Sequence, residues 1–294
     1  MSNYILSCCS TADLSKEHFT NRDINYVCFH YFLDEVQYPD DLGESMSFDA
    51  FYKAMENGAM TKTSQVNVGE FEEYFEPFLK EGNDILHVTL SSGISGVNNA
   101  ANIAKSMLEE KYPDRKIYVV DSLCAACGYG LLMDELADLR DAGKSIDEVY
   151  QWVEVNKGKL HHWFTATDLK YLIRGGRVSK ASGFVGTMLN ICPVLCVAAD
   201  GTLKAMQKVR TKKKVLEALA NKVLENAENG AGYTGKCYIA HSACEEDAKV
   251  VVKYIEEYIP AMKGKVVLGN IGTTIGSHTG PGTVVVCFWG AERA

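Results

Sequence analysis

Asp84-Ile85-Leu86-His87-Val88-Thr89-Leu90-Ser91-Ser92-Gly93-Ile94-Ser95-Gly96-Val97 decides the fold. It is an apolar run of strand length, then a Ser/Gly loop, then the start of a helical pattern that continues over 97–108. Such a unit belongs to a parallel sheet covered by helices. The same rhythm continues on either side. Residues 4–9 and 116–121 read as strands, the latter followed by a loop and a helix. Residues 25–33 read as a strand that turns back through Asp34-Glu35. Residues 47–57 read as a helix with Ser47 as N-cap and Phe48, Phe51, Tyr52 and Met55 on one face. Residues 68–80 form a second helix with Phe71, Phe75 and Phe78 along one side.

The second half has another pattern. Strands are expected at 160–167, 193–199, 202–209, 235–242, 264–271 and 283–289, with Asp200-Gly201 as a hairpin turn. Helices at 212–227 and 245–258 lie between the later strands. The expected fold is α/β in two lobes. Residues 1–158 would form a helix-covered, mostly parallel sheet, and residues 159–294 an α+β lobe with a mixed or antiparallel sheet.

The chain has 294 residues, a size that suits two domains. No apolar run reaches the roughly 18 residues of a membrane span. Met1-Ser2-Asn3-Tyr4-Ile5-Leu6 has neither a basic nor a long apolar region, so no export signal is expected and a cytoplasmic location is. The 30 basic and 38 acidic residues give a net charge of −8, which disfavours a general nucleic-acid surface. Of the ten cysteines, Cys28, Cys196, Cys237 and Cys287 lie in apolar runs and read as buried, inert thiols. Cys8-Cys9 and Cys124-x-x-Cys127 lack the matched pairs of a zinc site, and no metal is expected.

Ligands of open α/β sheets bind in loops beyond the carboxyl ends of strands. Four polar segments qualify: Cys9-Ser10-Thr11-Ala12-Asp13, the Ser91–Gly96 loop, Asp121-Ser122-Leu123-Cys124, and Thr61-Lys62-Thr63-Ser64-Gln65 ahead of a helix. Rich in hydroxyls and poor in carboxylates, they suit an anion held by O–H and N–H groups, although any one of them could simply cap a helix. Nucleotide-binding Gly-rich fingerprints and a Gly-x-Ser-x-Gly elbow are absent. Arg174-Gly175-Gly176-Arg177-Val178-Ser179-Lys180 and Arg210-Thr211-Lys212-Lys213-Lys214 are basic clusters suited to a phosphate or an acidic partner, or to plain solvation. Ser277-His278-Thr279-Gly280-Pro281-Gly282 sets a histidine in a flexible surround just before the last strand.

Taken in order, Ser10-Thr11-Ala12-Asp13-Leu14, Lys62-Thr63-Ser64-Gln65, Ser91–Gly96, Gly175–Lys180 and His278–Gly282 resemble the motifs of the DegV family of fatty-acid-binding proteins, which includes the binding subunit of bacterial fatty acid kinase. The resemblance covers essentially the whole chain. It implies one long-chain fatty acid buried at the interface of the lobes, its carboxylate bound by Thr63, Ser95 and His278. Ser10, Ser64, Ser92, Gly93, Gly96, Ser122 and Thr279 would lie nearby, and Arg177 and Arg210 would meet an acyl phosphate or the kinase partner. It implies no catalysis by this chain and no cofactor. The carboxylate would be presented to an ATP-binding kinase subunit for acyl-phosphate formation that feeds phospholipid synthesis. A monomer with at most transient membrane contact is expected. The sequence departs from the family's usual residues at Cys9, Val66, Val97-Asn98 and Cys192.

Two other readings stand beside this one. In the first, the chain is an enzyme of the dihydroxyacetone-kinase type, with His278 as nucleophile or base. In the second, it senses or carries another amphipathic ligand. For a fatty acid, the helices around 48–52 and 71–78 could wall the chain or simply pack the core.

Overall fold

The computed structural model describes residues 4–178 and 191–293. Ser179 and Lys180 of the basic segment, Asn190 and the first three residues lie outside the described residues.

β1 (Tyr4–Cys9) leads through a short turn to α1 (Lys16–Asn21), β2 (Asn25–Val27), β3 (His30–Leu33) and β4 (Val36–Pro39). Then come α2 (Phe48–Glu56), β5 (Thr61–Ser64), α3 (Val68–Lys80), β6 (Asp84–Thr89), α4 (Val97–Lys111), β7 (Ile117–Asp121), α5 (Ala126–Asp141) and α6 (Ile146–Asn156). The second half adds β8 (Leu160–Thr165), α7 (Lys170–Arg174), β9 (Ile191–Val197), β10 (Leu203–Arg210), α8 (Lys212–Asn226), β11 (Cys237–His241), α9 (Glu245–Tyr258), β12 (Val267–Asn270), α10 (Thr273–Thr279) and β13 (Val284–Trp289).

The described residues form three sheets. The first is parallel, in the order β2-β1-β6-β7. β6 is buried along almost its whole length, as a central parallel strand with helices on both faces must be. The second is mixed, in the order β10-β9-β8-β13-β11-β12, and only β11 and β12 pair in parallel. Both agree with the fold read from the sequence. The third, β4-β3-β5, is a small antiparallel sheet. It corrects two expectations. Residues 25–33 are two strands, because the chain leaves the parallel sheet at Cys28-Phe29. Phe29 N–H donates to Ser10 Oγ at 3.1 Å and its carbonyl accepts from Asp40 N–H at 2.8 Å, which pins the crossing. Thr61–Ser64 is a strand with Thr61 buried and Lys62 exposed, not a loop ahead of a helix.

α5 joins the sheets. It is buried on nearly every side and packs against β1, β8, β11 and β13. Gly128 makes this approach possible, since a Cβ there would lie 2.1 Å from His162 Nε2. One core runs from Tyr4 to Cys287 across both halves. A second, under α8 and α9, fills the far face of the mixed sheet. A third gathers Tyr31, Phe51, Tyr52, Met55 and Tyr171. Phe71 and Phe75 sit in the first core against His87.

Candidate functional site

The small sheet, the Ser/Gly loop and α10 meet over one pocket. It encloses about 720 Å³ of empty space, part of it open to solvent. Phe29, Leu90, Ile94, Phe164, Leu172 and Ile275 make its lining mainly apolar. Thr63, Ser95, Arg177, His278 and Thr279 break that lining with donors.

α10 is held from the first half of the chain. Its N-cap, Gly272, has no side chain to cap it. Instead the carboxylate of Asp40, itself buried, accepts from Thr273 Oγ1 at 2.7 Å and from Ser10 Oγ at 3.1 Å. Tyr52 donates to the carbonyl of Ile271 at 2.7 Å, and Thr61 to that of Ser277 at 3.1 Å. His278 therefore stands in the last turn of a helix, not in a flexible loop as expected.

His278 Nε2 lies 2.7 Å from Thr63 Oγ1. Burial, reinforced by the positive charges of Arg177 and Arg174, pushes its pKa down to about 4. The ring is thus neutral near neutral pH. With the proton on Nε2 it donates to Thr63 Oγ1, leaving the threonine hydrogen for an anion in the pocket. A Cβ on Gly175 would lie 2.2 Å from His278 Nδ1, so backbone, not an acidic orienter, backs the ring.

Ser95 Oγ donates to Gln65 Oε1 at 3.3 Å and accepts from Val97 N–H at 3.2 Å. It thus satisfies the first N–H of α4, one residue ahead of the N-cap Gly96, and also lines the pocket. Arg177 is half-buried and donates to the carbonyls of Ile94 (3.2 Å) and Gly175 (2.5 Å). Among the described residues no carboxylate pairs with it, and burial lowers its pKa. A guanidinium beside two hydroxyls and a neutral imidazole fits a carboxylate or an acyl phosphate.

The other expected residues are placed differently. Thr279 lines the pocket. Ser10 is buried behind it on Asp40, and Ser122 makes a local turn with Cys124. Ser64, at the end of β5, and Ser92, Gly93 and Gly96 of the Ser/Gly loop are exposed and outside the lining. Arg210 is exposed at the end of β10, opposite Ile191, also outside the lining. The aromatic helix faces pack cores and contribute nothing to the lining. Sequence reasoning missed His162 and most of the individual apolar lining residues, which have no local signature. Among the described residues no group of three or more His, Cys, Asp or Glu could hold a metal, and no helix is long and apolar enough to cross a membrane.

This architecture is an α/β fold of three sheets with a mainly apolar pocket whose lining is broken by polar side chains at one mouth. Residues 9–290 match the model of the DegV family, described as uncharacterised protein, and the chain belongs to that family. A DegV domain-containing protein of Clostridium perfringens is 40% identical over 293 residues, covering 100% of this chain and 99% of that one. A Thermotoga maritima protein whose structure is described as revealing a fatty acid binding function superposes with a TM-score of 0.82 at 26% identity, over 99% of this chain and 100% of that one. The Streptococcus pneumoniae Fatty Acid Kinase (Fak) B3 protein loaded with linoleic acid also superposes at 0.82 and 26% identity, over 98% and 99% of the two chains.

Proposed function

We propose that this protein binds a long-chain fatty acid and presents its carboxylate to an ATP-dependent fatty acid kinase partner, without catalysis or a cofactor of its own. The observation that carries this reading is the convergence of Thr63, Ser95, His278 and Arg177 on one mainly apolar pocket. Lining residues come from both 1–158 and 159–294, so the proposal places the ligand between two lobes.

A carboxylate leaves water only if donors replace its hydration. Two hydroxyls meet that need, with His278 orienting one of them. Arg177 supplies the positive charge and stands ready for the phosphate added later. The acyl chain lies among apolar side chains, where each buried methylene contributes about 0.8 kcal/mol. A chain of about 16 carbons gains on the order of 10 kcal/mol before entropy costs. The solved relatives described as fatty-acid-binding support this reading.

The test is native mass spectrometry of the protein as purified, followed by lipid extraction. A stoichiometric fatty acid is expected. A clean apo mass with no uptake of added saturated or unsaturated fatty acids would sink the proposal. Arg177→Ala should cut acyl-phosphate formation with a kinase partner more than it weakens fatty-acid binding.

A further inference from the structure

The pocket shares a wall with a second cavity. That cavity is a mixed polar and apolar groove lined by Trp152, Lys159, Trp289 and Arg293, among others. Among the described residues, His162 and Val197 are the ones common to both linings. Both are almost fully buried. They occupy neighbouring positions of the antiparallel β8–β9 pair, one step beyond Trp163↔Cys196.

β8 sets the direction. Thr165 lies opposite Val284, beside the Thr283 that lines the pocket near α10, while Leu160 lies opposite Trp289 of the second groove. His162 stands three residues back from Thr165, or ~10 Å along the strand. It therefore closes the pocket at the end away from Thr63 and His278.

The ring is held on both edges. Nε2 accepts from Ala125 N–H at 3.4 Å, so in the neutral ring Nδ1–H donates to the carbonyl of Leu160 at 3.2 Å. The backbone at Gly128 abuts it from α5. Burial, with the charge of Arg293 behind, keeps the ring neutral. A neutral, doubly bonded ring clamped between α5 and β9 is a fixed stop.

We propose that His162, backed by Val197, sets the longest acyl chain the pocket accepts. This rests on the fatty-acid reading above. Opening the wall joins the pocket to the groove and gives a longer tail somewhere to go.

The test offers delipidated protein an equimolar mixture of saturated fatty acids of about 12 to 24 carbons and quantifies the bound species by mass spectrometry. Wild type should show a length limit. His162→Ala should move it upward, with binding of chains beyond the old limit rising about fourfold per newly buried methylene. Val197→Ala, which keeps the His162 hydrogen bonds, should shift the limit in the same direction and decides the matter if His162→Ala does not fold. Folded variants with the wild-type length profile overturn the proposal. Failure of every protein, wild type included, to take up any fatty acid would instead remove the parent reading.

Discussion

Replacing His278 by Gln keeps an amide near Thr63 but removes a group whose protonation is suppressed by folding. The pKa of His278 falls from 6.5 to about 4 on folding, chiefly through burial and then through Arg177 and Arg174. Between these values the unfolded chain binds a proton that the folded chain does not. Stability from this group is therefore present above the unfolded pKa and is lost as the pH falls. From about pH 7 to about pH 5 the loss amounts to about 2 kcal/mol for this single residue. Urea unfolding of ligand-free wild type and His278→Gln at the two pH values measures it. His87, held at about 3 by burial, and His162, held low by burial and Arg293, act equally in both proteins and cancel. The variant should lose about 2 kcal/mol less than wild type. Equal losses would show that His278 is not buried neutral, and the proton assignment on Thr63 would fall with it.

Gly175→Ala should weaken fatty-acid binding about tenfold or more by pushing His278 off Thr63, since ~1.4 kcal/mol of lost fit is enough for that. Gly176→Ala meets nothing within 4 Å but sits at φ +74, so it should cost about 1–2 kcal/mol of stability and leave binding intact. Calorimetric titration of both would contradict the packing argument if they lost affinity equally. Asp134 is a separate case, outside the pocket lining. Burial alone would raise its carboxyl, but hydrogen bonds from His18 and Lys236 and the charges of Lys236 and Arg22 hold it well below the usual range. Arg22 and Lys236 keep other carboxylate partners, so Asp134→Asn should cost roughly 1–3 kcal/mol in denaturant unfolding with fatty-acid affinity unchanged, and no measurable loss would show the network to be slack. Asp40→Ala removes the cap that α10 takes from the first half, so it should cost about 1–2 kcal/mol and also weaken binding; unchanged binding would mean that α10 is positioned by Tyr52 and Thr61 alone.

Where the hydrophobic pattern was strong, the sequence was sufficient. The residues 68–80 and 245–258 read as helices are α3 and α9 to the residue, and 4–9 is β1. Apolar periodicity is a local signal, and these elements bury the faces it marks. β5 was hidden because its inward residues are threonines: Thr61 and Thr63 alternate with Lys62 and Ser64, a period of two with no apolar residue to announce it. The Ser/Gly loop could be read as serving the helix start or the site, and Ser95 does both, bonding the first N–H of α4 and lining the pocket, so the two readings were never exclusive.

α10 shows what a single-sequence reading lacks. Gly272-Thr273-Thr274-Ile275-Gly276-Ser277-His278 mixes glycines with β-branched residues, a poor helix former, and no side chain within it caps the start. The stabilising groups lie more than two hundred positions away in the chain: Asp40 at the first turn, Tyr52 at the entry, Thr61 near the end. A helix that exists because remote residues hold it cannot be read from its own propensities. The same remoteness gives His278 its function in the proposed reading. Thr63 is on the strand that Thr61 ties to α10, so forming the helix and bringing the imidazole to the hydroxyl are one folding event. A substitution that loosens Thr61 should therefore disturb ligand binding before it disturbs the parallel sheet, because Thr61 lies in the small sheet and its side chain bonds α10.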